Sequence, residues 1–318
     1  MAVTLPQAAL LSENKLQRGV IETFVQESSI LDRIPFLPIE GNAYGYNKEA
    51  TLPGVAFRGV NEAYTESTGT VVQAFESLVI LGGDADVDRF IVQTRGDLND
   101  QRAIQTRLKV KAASYKYQDH FFNGDVSVDP KGFDGLKKRL VGAQVIDAGT
   151  NGIPVLGNGG SEAHAFYDAL DELVASVPGL TPENGALYAN LRLQAKIRSS
   201  GRRLGGVETV REDATGKRVL TWNGIAILDP GQNLAGADIL GQTEPMGTAT
   251  DTSSIYAVKF GGDETERAVT GLTNGGVQVD DLGQLQEKPA YRTRIEFYTG
   301  LATFGGKAAA RLRGIRNA

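Results

Sequence analysis

Cysteine is absent from the 318 residues, histidine and methionine occur twice each, and tryptophan once. Without thiols there can be no disulfides, thiolate nucleophiles or cysteine-held zinc, so packing and hydrogen bonding must hold the fold. The two histidines, His120 and His164, stand alone, with no second histidine or carboxylate cluster at metal-ligand spacing. That leaves an acid–base relay little to work with, and no serine or threonine sits in a nucleophile elbow. No apolar run approaches the ~20 residues needed to span a bilayer, and Met1 to Leu10 lacks the basic start and apolar stretch of a signal peptide. The expectation is a soluble protein made in the cytosol, with no membrane partner. Cationic excess is missing too: 33 Lys and Arg against 38 Asp and Glu give a formal charge of -5. A protein that grips phosphates carries the opposite balance. A wall that encloses DNA without gripping it would have this one, as would many cytosolic enzymes.

What is present is ordinary globular composition, 41% hydrophobic and 22% charged, with 39 glycines that imply many turns and close backbone approaches. Sheets and long loops are favoured over a helical bundle. Residues 1–40 combine a short helical pattern (Leu16, Val20, Ile21, Phe24) with Ile34-Pro35-Phe36-Leu37-Pro38, which reads as an arm, neither helix nor central strand. Its apolar residues must bury against this subunit or a neighbour. Residues 41–74 are thin in apolar content and suggest two weak strands around a loop with Pro53-Gly54 and Arg58-Gly59. A lone hairpin is marginal in water, so this one should lean on another surface.

Leu78-Val79-Ile80-Leu81 and Phe90-Ile91-Val92 read as core strands separated by Gly82-Gly83 and an acidic stretch. A long helix follows over 97–122, capped by Asp97, with Leu98, Ile104, Leu108, Ala112 and Tyr115 on one stripe, ended by Asn123-Gly124. At 1.5 Å per residue it spans about 38 Å. Phe133-Asp134-Gly135-Leu136 forms a turn that should tuck Phe133 and Leu136 onto the body. Two more helices are expected: Ser161 to Val177, with Phe166, Leu170, Leu173 and Val174 inward, and Asn184 to Ser199. Strands then return at Arg218 to Leu228, around Asn223-Gly224, and at Ser254 to Phe260. Tyr291 to Tyr298 alternates and should pair with the strands near 78 to 92, ahead of a basic tail with Lys307, Arg311, Arg313 and Arg316.

Other features read as structural. Gly157-Asn158-Gly159-Gly160 precedes a helix but completes no phosphate-loop pattern, leaving a flexible loop with Ser161 as cap. Asp84, Asp86 and Asp88 alternate like the start of a calcium loop, yet Arg89 stands where glycine is required, so they form a solvated face or one that meets basic residues. In Arg95-Gly96-Asp97 the aspartate already has a role as helix cap. The basic tail could touch DNA, though a solvated or subunit-pairing face fits it better. Catalytic, cofactor-binding and metal-binding residues are therefore expected to be none.

Three local motifs, Phe121-Phe122-Asn123-Gly124-Asp125, Phe133-Asp134-Gly135-Leu136 and Lys288-Pro289-Ala290-Tyr291-Arg292-Thr293-Arg294-Ile295-Glu296, occur in an order and spacing that resembles the tailed-bacteriophage major capsid proteins of the Hong Kong ninety-seven type. The resemblance covers nearly the whole chain. It implies an α+β phage capsid fold: N-terminal arm at 1–40, extended β-hairpin loop at 41–76, peripheral domain at 77–144 with the spine helix at 97–122, central axial domain at 145–270, and a return to the peripheral domain at 271–318. It further implies no enzyme but a virion protein, assembled in the host bacterial cytoplasm, whose copies form hexamers and pentamers of a head enclosing double-stranded DNA without sequence-specific binding. Portal, scaffolding and decoration proteins would be its other partners. Lys48 is the only lysine of the loop, where some members carry a crosslinking lysine, but the partner residues of that chemistry are not identifiable here. An encapsulin shell, sharing the fold but holding enzyme cargo, is the alternative, and a soluble α/β enzyme a more distant one.

Overall fold

A computed structural model describes residues 3–4, 28–95, 101–156, 160–204, 210–212 and 218–317. In chain order its first strands are β1 Val3–Thr4, β2 Pro35–Pro38, β3 Ala43–Thr51, β4 Thr70–Ser77 and β5 Val79–Asp88. The helices α1 Arg89–Arg95, α2 Gln101–Asn123 and α3 Leu136–Arg139 come next. Then follow β6 Val145–Asp147, β7 Ile153–Pro154, helix α4 Gly160–Ala175, β8 Gly185–Tyr188, helix α5 Leu191–Leu204, β9 Val210–Glu212, β10 Arg218–Trp222 and β11 Ile225–Leu228. The chain ends with β12 Glu244–Met246, β13 Ala249–Lys259, β14 Val269–Gln284, β15 Ala290–Thr303 and β16 Ala309–Arg316.

Three sheets organise these elements. The first has the order β1-β2-β14-β15-β5, the second runs β6-β16-β13-β8-β11-β10-β9 with β12 on β13 and β7 on β16, and β3-β4 stand apart as a hairpin. As its alternation suggests, β15 lies antiparallel to β5. The last strand does not follow it: β16 crosses to the second sheet and pairs with β13, so the final segment is divided between two sheets. Each face of the second sheet is buried. Ile255, Ala257 and Leu187 point to helices α4 and α5, whereas Tyr256, Val258, Ala186 and Tyr188 point to the end of α2. The tight Asn223-Gly224 turn joins β10 to β11, with φ of 50° and 78°, the left-handed pair that a two-residue hairpin requires.

Helix α2 links the two sheets. Tyr117, Phe121 and Phe122 are fully buried among residues of both. Phe122 meets Tyr256 at 5.0 Å and Tyr188 at 5.4 Å, and Tyr117 meets Phe297 at 6.1 Å. The helix stops where glycine allows close approach. Gly135 donates its N–H to the Gly124 carbonyl at 2.9 Å, and a Cβ on Gly135 would lie 2.4 Å from the His120 carbonyl oxygen. Phe133 and Leu136 are buried against this corner, as expected.

Four expectations need correction. The Ile34 to Pro38 stretch does form a strand: β2 lies parallel to β14, and Ile30, Leu31 and Ile34 are fully buried in this subunit's own core. Proline is tolerated at both ends of β2 because its other neighbour is only the two-residue β1. Phe90-Ile91-Val92 is not a core strand but part of α1, with Phe90 72% exposed. On α2 the stripe of Ile104 and Leu108 faces outward, and the buried face is Thr106, Val110, Ser114, Tyr117, Gln118 and Phe121. The expected helix from Asn184 begins instead as β8, the helix α5 starting at Leu191 after Asn190, whose side chain accepts from the Leu193 N–H at 2.8 Å. Leu16, Val20, Ile21, Phe24, Leu98 and the Asp97 cap lie outside the described residues, as do Gly96 and residues 157–159; α4 nonetheless has Phe166, Leu170 and Leu173 buried as expected.

Because Ile34 fills the core beneath α2, Ile34→Ala should lower the subunit's unfolding free energy by about 2–5 kcal/mol, read from a urea titration followed by tryptophan fluorescence.

Candidate interaction surface

Among the described residues the hairpin β3-β4 is joined to the body at its root alone. Tyr46 is buried and packs edge-on against Phe304 at 4.9 Å, with Tyr44 on the same ring at 6.0 Å. Arg139 of α3 grips Glu76 of β4 with two hydrogen bonds of 2.5 and 2.8 Å, and both side chains are largely buried. The Tyr46 hydroxyl donates to the same carboxylate at 3.3 Å. Burial and the neighbouring Glu76 charge push the Tyr46 hydroxyl up to about 12, so it stays a donor at any physiological pH.

Beyond this root the hairpin has no partner among the described residues of its own chain. Leu52, Val55, Phe57, Val60, Tyr64, Val71 and Val72 are all exposed, Phe57 completely. Apolar side chains exposed in a continuous strip mark an interaction surface more often than they mark idle surface. The strip continues past the root through Phe75 and Ile80 to Val126 and Val128, around a cleft of about 550 Å³ that Phe133 and Arg139 also line. Phe90 and Ile91 of α1 and Ile104 and Leu108 of α2 are exposed apolar residues as well. The outward stripe of α2 was visible in the sequence as periodicity, but periodicity alone does not say which surface it will meet.

The acidic alternation on β5 has a partner within the chain. Register places Asp86 opposite Arg292 and Asp84 opposite Arg294. Arg292 donates two hydrogen bonds to Asp86 at 2.6 and 2.8 Å, Lys288 adds a third at 2.5 Å, and Arg294 holds Asp84 at 2.8 and 3.0 Å. Ala85 and Val87, between them, are buried. Asp88 accepts from the Phe90 N–H at 2.7 Å at the entry to α1. The basic tail is likewise neutralised. Arg311 is buried and bonded to Glu244 at 2.9 Å, Arg313 pairs with Asp147, and Arg316 pairs with Asp251 at 3.2 Å. Lys307 is exposed.

His120 packs on Phe133 and faces Asp129 at 3.4 Å, while His164 is exposed on α4. Among the described residues no group of three His, Asp or Glu could hold a metal, and no helix is long and apolar enough to cross a membrane. Lys48 lies on β3.

Over residues 12–158 the chain matches the family model of major capsid protein GP7. No curated protein matches its sequence. Among solved structures it is similar to the SrpI encapsulin of Synechococcus elongatus PCC 7942, 16% identical over 91% of this chain and 88% of that one, with a TM-score of 0.64. It is similar also to the capsid of a native GTA particle, 13% identical over 91% and 90%, TM-score 0.63. A structure from Mycobacterium phage Bobi is 16% identical over 90% and 89%, TM-score 0.59. The mixed α+β architecture is therefore the capsid fold, shared nearly end to end.

Two measurements check this description. Arg139→Ala removes the cation from the largely buried Glu76 carboxylate, a loss of about 3–5 kcal/mol where such a pair is fully buried and less here. It should speed hydrogen exchange in β3 and β4 while leaving the β14-β15 amides protected. The carboxyls of Asp84 and Asp86 are held below the usual carboxylate range by hydrogen bonds from Arg294, and from Arg292 and Lys288. A depressed folded pKa contributes stability that is present above the unfolded value of about 3.9 and is lost as pH falls through the folded one. The urea midpoint of Asp86→Asn should thus lie below that of the parent at neutral pH, and the gap should narrow as pH falls below about 4.

Proposed function

We propose that this chain, a phage major capsid protein of the Hong Kong ninety-seven type fold, assembles with copies of itself into hexamers and pentamers that close an icosahedral or prolate head around double-stranded DNA. The observation that carries the reading is the hairpin. Leu52, Val55, Phe57 and Val60 are exposed at its far end, and burying each would contribute about 1.5–3 kcal/mol. Among the described residues none covers them, and an adjacent copy, always at hand during assembly, can supply that burial.

The parts divide accordingly. Residues 1–40 form an arm whose end, from Ile30 onward, is fastened into its own subunit. Residues 41–76 form the extended loop, and the first sheet with α2 forms the peripheral domain. Residues 145–270, with β16 added, form the axial domain around which copies meet. The protein works by assembly rather than catalysis. It is built into the virion after being made in the host cytoplasm, with portal, scaffolding and decoration proteins as further partners. It encloses DNA without gripping it, in keeping with the overall charge and with tail arginines already paired to carboxylates.

The encapsulin reading shares the fold, and the SrpI likeness supports it to that extent. The GP7 match favours the phage reading, and neighbouring terminase and portal genes would support it further.

The triple variant Val55→Ser, Phe57→Ser, Val60→Ser should fold with an unchanged circular dichroism spectrum but form no closed shells by electron microscopy, under conditions in which the parent does. Normal shells from this variant would overturn the role assigned to the hairpin.

A further inference from the structure

Helix α5 carries Arg192, Lys196, Arg198, Arg202 and Arg203 and no acidic residue in its 14 positions. At 100° per residue the five cations cover the whole arc left free by the buried stripe Leu193, Gln194, Ile197 and Ser200. Among the described residues none of the five forms an ion pair, in contrast to the tail, where three arginines each hold a carboxylate. Its neighbour α4 has the opposite character: Glu162, Asp168, Asp171 and Glu172, and no lysine or arginine. Asp171 is engaged by the Trp222 indole N–H at 2.7 Å, but Asp168 and Glu172 are exposed and, among the described residues, unpaired. The two helices share one hydrophobic core on one face of the second sheet, and the Tyr167 hydroxyl of α4 donates to the Ile197 carbonyl of α5 at 3.2 Å. They touch through their inner sides, yet among the described residues no ion pair joins the two helices.

We propose that α5 of one subunit docks against α4 of the next, so that the basic helix and the acidic helix form the two halves of a head-to-tail contact around the ring. The inference rests on the self-assembly reading and deepens it. A ring needs a heterologous interface, two different and complementary patches on each copy. A cationic patch and an anionic patch on the same unit meet that requirement, and charge complementarity fixes register while repelling wrong pairings. Two copies cannot pair α5 with α5 without juxtaposing like charges, which disfavours the twofold alternative.

The test uses two full-length variants. One is Arg192→Glu, Arg198→Glu, Arg202→Glu; the other is Asp168→Arg, Glu172→Arg. All five side chains are exposed, so circular dichroism should match the parent. Each variant alone should lose rings and shells at least about tenfold by analytical ultracentrifugation. Mixed in equal amounts they should recover six-membered rings, because alternating copies restore an opposite-charge contact at every junction. Parent rings should weaken as salt is raised toward about 1 M. Rings formed by either variant alone at the parent's level, or a mixture that stays unassembled, would overturn the contact while leaving self-assembly intact. A parent that forms no rings under any condition would remove both readings. Should the first variant assemble normally but protect less of an added linear double-stranded DNA from nuclease, the basic face belongs to nucleic acid and the contact is likewise overturned.

Discussion

Everything else in the subunit depends on the aromatic end of α2. Tyr117, Phe121 and Phe122 are fully buried where the two large sheets converge, and the rings of Phe36, Phe133, Tyr188, Tyr256 and Phe297 close around them. A sheet must bury one face, and here each sheet turns a face toward the same helix. The helix thereby fixes the two sheets in one body without a disulfide. Its stop is equally constrained, since Gly124 and Gly135 meet backbone to backbone and leave no room for a side chain.

With the body so fixed, the remaining chemistry is distributed by charge. Cations on β15 and β16 are matched to carboxylates on β5, β12, β13 and the 145–147 strand, in largely cross-strand pairs. Exposed pairs of this kind contribute little energy individually, but they fix register: a one-residue slip of β15 would carry Arg292 and Arg294 into the core and Thr293 and Ile295 out of it. Among the described residues the surfaces left unmatched include the apolar hairpin and the two charged helices.

The sequence motifs that signalled the fold are legible in these terms. The Phe121 to Asp125 motif is the aromatic junction with its glycine stop, the Phe133 to Leu136 motif is the corner that packs on it, and the Lys288 to Glu296 motif is the cation ladder that faces Asp84 and Asp86. What misled was periodicity without a partner. Ile104 and Leu108 of α2 form a clean apolar stripe yet face outward, because the sheet side of the helix is filled by Thr106, Ser114 and Gln118 as well as by aromatics. The segment from Asn184 carries leucines at helical spacing, but Leu187 belongs to a strand buried on both faces, where no alternation betrays it. Phe90 and Ile91 look like core residues for the same reason as Ile104: under the proposed self-assembly the chain is buried twice, once in folding and once in assembly, and has more apolar residues than its own core can hold.

In the proposed shell that surplus orders the steps of assembly. Ile30, Leu31, Ile34 and Phe36 are buried within the subunit and are settled at folding, whereas among the described residues the hairpin beyond Thr51 is held at its root alone. A weak root would let the hairpin sample many orientations, and each copy would then lose that freedom on docking, at an entropic cost. The largely buried Glu76–Arg139 pair and the Tyr46–Phe304 contact restrict it beforehand. Preorganisation at the root therefore leaves more of the apolar contact at the tip available to hold neighbouring copies together. In the proposed shell, Arg139 influences the strength of the assembly without having to touch a neighbouring subunit.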